Sequence, residues 1–302
     1  MTGRVLALVP AVARVAPWRA YLRLCKPKVV ALLVFTAQVA MLLAAPPAAP
    51  PAATILAATL GLTLAAASAA AFNHVADREI DALMRRTRNR PLPSGTLTWR
   101  QAMAFACLAG VTGIAILWFL VNPLTALLCL VGMIGYAVVY TRWLKWIGPQ
   151  NIVLGGAAGA VPALVGWSAV TGRIDGPALA LFLIIFVWTP PHFWSLAIAR
   201  RDEYAAVKAP MLPTVRGVAC AKRHIFGYTL ALFPVSLLPG AAGIAGPLYL
   251  AGAALLSGSF VFRAARLLRI DQDRDAMALF RYSIAYLSAL FALLLLDHYL
   301  RL

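Results

Sequence analysis

Residues 29–76 read VVALLVFTAQVAMLLAAPPAAPPAATILAATLGLTLAAASAAAFNHVA, 48 residues without one Asp, Glu, Lys or Arg. A membrane-spanning helix needs about 20 apolar residues, so this stretch is long enough for two. The chain folds back between them at Pro46-Pro47 and Pro50-Pro51. Outward from there the pattern repeats. Residues 101–141 and 224–262 hold two spans each, turning at Asn122-Pro123 and around Pro239–Pro247, and residues 146–172 and 176–199 hold one each. A last apolar run near residues 279–299 brings the expectation to about nine spans. The predicted fold class is an all-α polytopic membrane helix bundle, one domain over residues 1–302. In lipid the backbone must satisfy its own hydrogen bonds, and helices of this length do so.

Composition and charge support this reading. The chain is 62% hydrophobic and 12% charged, against about 25% charged in an ordinary soluble domain. The net charge of +17 does not point to nucleic acid, because it is laid out by span. Of the 27 basic residues, all but Arg173 and Arg301 fall at the amino terminus or in connections on that same side. By the positive-inside pattern the amino terminus is cytoplasmic and the carboxyl terminus outside, which in a bacterium means the inner membrane. The acids Asp77, Glu79, Asp81, Asp202, Glu203, Asp271, Asp273 and Asp275 share the cytoplasmic side. Acids contribute little to topology, so their one-sidedness points to chemistry. The four cysteines show no metal-like spacing and read as small thiols in or near helices.

The first constellation is Asn73-His-Val-Ala-Asp77-Arg-Glu-Ile-Asp81. Residues four apart on a helix drift by only about 40°, so Asn73, Asp77 and Asp81 share a face and Glu79 points elsewhere. Three oxygen donors at the mouth of a bundle suit Mg²⁺, which takes one or two carboxylates and leaves positions for water and phosphate oxygens. Arg85, Arg86, Arg88 and Arg90 follow. Guanidinium groups beside a carboxylate-held cation match a diphosphate; the alternative is that they only set topology.

The second constellation closes span 6 with Trp188-Thr-Pro-Pro-His192-Phe-Trp194 and continues through Arg200–Gly217. Asp202 and Glu203 offer a second metal or phosphate-side carboxylate. Tyr204, Lys208 and Lys222 are candidates to contact diphosphate. Pro190-Pro191 should break the helix ladder, which is tolerated where backbone lines a cavity. His192 among aromatic residues suits a flat conjugated acceptor; the alternative is an imidazole bonded to backbone freed at the kink. His74, His224 and His298 read as interfacial. The small residues of span 5, Gly155, Gly156 and Gly159 among them, serve close helix packing or leave room for a lipid-like ligand.

The Asn-x-x-x-Asp-x-x-x-Asp face, followed by Met84-x-Arg-Thr-x-x-Arg-Pro91, resembles the intramembrane aromatic prenyltransferases of the UbiA superfamily. Within it the chain is most similar to the heme O synthases (protoheme farnesyltransferases). Tyr21-Leu22, Lys26-Pro27, Tyr140-Thr141, Leu144-Lys145, Asn151–Gly166, Trp188–His192, Tyr204, Pro210–Pro213 and Lys222 carry that finer likeness. The pattern departs at Trp146 and Ala163, where arginine and proline are expected, and near Lys208, where glycine is.

This resemblance implies transfer of a farnesyl group from farnesyl diphosphate to a vinyl group of heme b, giving heme O. It implies Mg²⁺ held by Asn73, Asp77, Asp81 and Asp202. Arg86, Arg90, Lys145, Tyr204 and Lys222 would bind the diphosphate, and His192 would ligate or orient the heme. The implied surroundings are membrane lipid and the consumers of heme O, a heme A synthase or a terminal oxidase, with no nucleic acid. Two other classes stand beside it. A prenyltransferase acting on a quinone precursor would share the first motif without needing a heme contact. A transporter would place ionisable groups near mid-membrane, where these spans have none.

Overall fold

The structure, a computed structural model, describes residues 17–45, 50–84, 87–269 and 273–300. Among them every regular element is helical. A short helix α1 (Pro17–Leu24) meets α2 (Pro27–Leu43) at a 56° bend. There follow α3 (Ala52–Ala76), α4 (Arg78–Leu83), α5 (Trp99–Leu120) and α6 (Pro123–Ile134). The last runs on through a π-helical segment (Gly135–Leu144) into one more turn, α7 (Lys145–Ile147). Next come α8 (Asn151–Thr171), α9 (Gly176–Ala199), α10 (Arg201–Ala206) and α11 (Leu212–Val215). The chain closes with α12 (Val218–Ala241), α13 (Pro247–Arg269) and α14 (Asp273–Leu300). Among the described residues eight helices are long and apolar enough to cross a membrane, and the bent α1–α2 pair counted as one span makes nine, as the apolar runs predict.

Local chemistry sets the helix starts. Thr98 and Gln101 form a reciprocal capping box on α5, and the Asn122 side chain accepts from Thr125 N before α6. Asp175 accepts from Ala178 N at the start of α9. The start of α13 is capped from another helix: buried Asp297 of α14 accepts from Gly246 N at 2.6 Å and Tyr249 N at 3.1 Å. A carboxylate there also meets the positive end of the helix dipole.

The helices pack as α3 on α5, α8 between α2 and α9, and α9 against α12 and α14, with α13 joining the last two. Lipid gives no hydrophobic drive to such contacts, so close approach and interhelical hydrogen bonds hold them. Ser68 Oγ donates to Ala106 O at 2.7 Å across α3–α5, and Ser236, Ser257 and Tyr286 link their hydroxyls across α12, α13 and α14. The span 5 glycines resolve toward packing. A Cβ at Gly155 would strike the Tyr140 ring, one at Gly156 would crowd Thr189, and one at Gly166 would strike the Ala37 carbonyl. Only Gly159 and its surroundings are open there.

Two expectations change. Helix α9 runs unbroken through Pro190 and Pro191. The two missing ladder donors leave the carbonyls of Phe186 and Val187 without their i+4 backbone partners, and the flanking hydroxyls bond elsewhere, Thr189 Oγ to Ile185 O and Ser195 Oγ to Pro191 O. His74 and His298 are buried within the bundle, not set at its interface.

Candidate active site

The acid face forms at the carboxyl end of α3, though not on one continuous helix. Asp77 ends α3 and starts α4 with φ −93° and ψ 4°, the sparsely populated bridge region. The backbone bonds from Asp77 N to Asn73 O and from Asp81 N to Asp77 O persist, so the four-residue spacing still gathers the three side chains. Asn73 Nδ2 donates to Asp77 Oδ2 at 2.9 Å. Asp77 and Asp81 are only 6% and 4% exposed, whereas Glu79 is exposed and pairs with its neighbour Arg78.

Each of the three donors meets a cation. Lys26 Nζ donates to Asn73 Oδ1. Lys145 Nζ reaches Asp77 Oδ2 at 2.9 Å. Arg90 Nη1 reaches both Asp81 oxygens, at 2.8 and 2.7 Å. Burying a carboxylate without a partner costs several kcal/mol, by about the amounts seen when buried pairs are broken, and Lys145 and Arg90 offset that cost at Asp77 and Asp81. Thr87 Oγ donates to Asp81 O and folds the arginine-rich turn back onto the site. Arg86 lies outside the described residues.

The π-helical segment brings the other wall. Thr141 donates to Tyr136 O, five residues back, and accepts from Asn73 Nδ2 at 3.2 Å. This wide turn carries Lys145 to Asp77. π-Helical turns recur at functional sites. The aromatic ring of Trp146, standing where a second base is expected, lies 5.1 Å from the Lys145 ammonium, a cation–π contact. Lys26 and Thr141 were not singled out as site residues from sequence. They lie 47 and 68 residues from Asn73, and no spacing rule reaches that far.

The second loop is less gathered. Asp202 is 95% exposed at its side chain and stands 3.8 Å from Arg201. Among the described residues no group of three or more His, Cys, Asp or Glu side chains is close enough to hold a metal, so Asp202 is not brought to Asp77 and Asp81. Arg201 instead ties this loop to α14 through Asp273 at 2.6 Å. Tyr204 packs against the main core, and Lys222 is buried near the start of α12. Lys208, where the resemblance leads one to expect glycine nearby, adopts φ 52°, a left-handed conformation that glycine takes most readily.

The donor set at Asn73, Asp77 and Asp81 is all oxygen with two carboxylates, which fits Mg²⁺ better than a softer metal. Lys26, Lys145 and Arg90 at the same place supply the positive charge a diphosphate needs.

Residues 33–290 match the UbiA prenyltransferase family. The chain is 56% identical to the protoheme IX farnesyltransferase of Nitrosococcus oceani, covering 94% of both chains. It is 50% identical to protoheme IX farnesyltransferase 1 of Shewanella loihica, covering 99% of both. Its fold resembles that of a digeranylgeranylglyceryl phosphate synthase, with TM-score 0.80 at 17% identity over 94% of this chain and 99% of that one. It also resembles a UbiA homologue from Archaeoglobus fulgidus solved with GPP and Mg²⁺, with TM-score 0.65 at 16% identity over 91% of this chain and 99% of that one. With its apolar helices, the protein is an integral membrane protein. The chain belongs to the protoheme IX farnesyltransferases of the UbiA prenyltransferase family.

Proposed function

We propose that this protein transfers the farnesyl group of farnesyl diphosphate to a vinyl carbon of heme b, releasing diphosphate and giving heme O. One prenyltransferase domain over residues 1–302 would do this. The observation that carries the donor half is the buried oxygen face of Asn73, Asp77 and Asp81 matched by Lys26, Lys145 and Arg90. The acceptor rests on near-full-length likeness to relatives named for protoheme IX.

Asn73, Asp77 and Asp81 would hold Mg²⁺, with Asp202 kept as a further oxygen donor on the second loop. When bound, the ion supplies Lewis-acid charge stabilisation at the diphosphate oxygens. Lys26, Lys145 and Arg90 hold Asn73, Asp77 and Asp81 in the resting protein, and Arg86, Arg90, Lys145, Tyr204 and Lys222 would turn toward the phosphate oxygens of the substrate. Preplaced positive charge of this kind stabilises the departing diphosphate. The apolar helices shield the allylic cation from water until the vinyl carbon attacks; the porphyrin-conjugated cation this leaves is then quenched by one water, whose oxygen becomes the hydroxyl of heme O and whose proton is released. His192 would face the heme. The product would pass to a heme A synthase or a terminal oxidase.

The test is direct. The purified protein in lipid, given farnesyl diphosphate, Mg²⁺ and heme b, should yield a heme O mass, and chelation should stop it. Prenylation of a quinone precursor with heme left untouched would overturn the acceptor assignment.

We also propose that the amino terminus is cytoplasmic and the carboxyl terminus outside, in a bacterial inner membrane. The distribution of basic residues supports this. Single cysteines in the connections at 84–98 and 207–217 should label from the cytoplasm, and one at residue 302 from outside. Both chain ends labelling from one side would rule out nine spans.

A further inference from the structure

His192 is held on three sides. Its ring stacks on Trp188 at 4.2 Å and 21°, and on Phe280 at 4.6 Å and 30°. Its Nδ1 lies 2.7 Å from Ser283 Oγ on α14, 91 residues away. Trp188 Nε1 donates to the Ser283 carbonyl at 2.8 Å, so residues 188 and 192, one turn apart on α9, both fasten to the same residue of α14. This is not an imidazole bonded to backbone freed by the prolines. It is fixed from a different helix.

The donor count decides which nitrogen carries the proton. A serine hydroxyl has one proton. Ser283 Oγ donates it to Phe280 O at 2.6 Å, and that carbonyl can only accept. The arrangement that satisfies both contacts has Ser283 accepting from His192, which puts the proton on Nδ1. The neutral ring then carries its lone pair on Nε2. Nε2 has no hydrogen-bond partner among the described residues and keeps an accessible surface. Iron-ligating histidines have this form: one nitrogen free for the metal, the other donating to a fixed acceptor that sets ring orientation and basicity.

We propose that Ser283 is a positioning residue for the heme acceptor, locking His192 in the Nδ1-protonated form so that Nε2 presents its lone pair to the heme iron. The proposal rests on the heme reading above. It differs from a mere helix contact in what it predicts for the iron.

The probe is heme b, added to the full chain in lipid nanodiscs and followed by absorbance and by the iron–histidine stretching band of the ferrous state. The wild type should show the band. His192→Ala should lose it. Ser283→Ala should bind heme about tenfold more weakly, as loss of such an outer partner commonly does, and the band should shift to lower frequency because Nδ1–H loses its acceptor. Affinity for farnesyl diphosphate should stay at the wild-type value in both, which reports that the bundle is intact. Should Ser283→Ala fail to fold, Ser283→Thr against Ser283→Val decides, since the two side chains have nearly the same shape and differ in the hydroxyl. Equal heme affinity and equal band position in that pair overturn the proposal, as does a band retained in His192→Ala. The two readings fail separately. A wild type that farnesylates no heme sinks the functional assignment, whereas one that does so with no change on losing the Ser283 hydroxyl sinks only this one.

Discussion

Asp77→Asn is expected to reduce farnesyl transfer by at least about 10³-fold, about 4 kcal/mol of transition-state stabilisation, and Asp81→Asn by a similar factor. Each removes one unit of charge from the face assigned to the metal and keeps the side chain's shape. The substitution has a second consequence that must be separated from the first. Asp77 is paired with Lys145 at 2.9 Å, and the pair is largely buried. Removing one partner leaves an ammonium without its counter-charge, which costs about 3–5 kcal/mol in buried settings. Asp77→Asn alone therefore confounds loss of chemistry with loss of fold. The double variant Asp77→Asn/Lys145→Met removes both charges and should recover much of the stability without recovering turnover. Glu79→Gln is the control. Its side chain is exposed and, among the described residues, pairs only with Arg78, and such surface pairs contribute about 0–1 kcal/mol, so activity should change by less than about fivefold. Turnover per folded molecule is the measurement. If Glu79→Gln is as damaging as Asp77→Asn, or the double variant turns over normally, the acid face is not the diphosphate site.

Much of this site follows from spacing. Asn73, Asp77 and Asp81 sit four apart, and that periodicity survives the break at Asp77 because the backbone bonds spanning it remain. Arg90 falls within reach of Asp81 because the two are only nine positions apart and the turn between is folded by Thr87. The partners that arrive from elsewhere could not be read in this way. Lys26 comes from the α1–α2 bend, Thr141 and Lys145 from the far end of span 4, and Ser283 from the last helix. Each is placed by tertiary packing. The π-helical segment has the same character: residues 135–144 look like an ordinary apolar helix in sequence, and the wider turn shows only in the structure, where the Thr141 hydroxyl also reaches back to Tyr136 O.

The fold was more legible than the site, since uncharged run length translates directly into spans in lipid. The prolines were the exception. Pro190-Pro191 signals a missing ladder, but two lost bonds do not break a 24-residue helix that is packed against α8, α12 and α14. Asp202 is the converse case. Its position after span 6 mirrors that of the first acid face after span 2, yet its side chain points into solvent in this structure.

The largest structural effect is expected at Gly166. A Cβ there would lie 2.1 Å from the Ala37 carbonyl oxygen and 2.8 Å from its carbonyl carbon and Cα. These are backbone atoms of α2, and no rotamer change relieves the overlap. Gly166→Ala must push α2 and α8 apart, at an expected cost of about 3 kcal/mol or more, the upper end for overpacked cores. The effect should reach the active site, because α2 begins beside Lys26, which holds Asn73. Gly159→Ala on the same helix meets nothing within 4 Å and should be neutral, or slightly stabilising through alanine's better helix propensity. Buried Cys129 packs in the same cluster as Ala37 and Val165 and provides the reporter. With Cys129 as the only cysteine, its thiol should become labelled at a clearly lower temperature in Gly166→Ala than in the parent, and at the parent's temperature in Gly159→Ala. Labelling curves that coincide for all three would mean that α2 and α8 do not meet at Gly166. The contact that aligns Lys26 with the acid face would then have to be sought elsewhere.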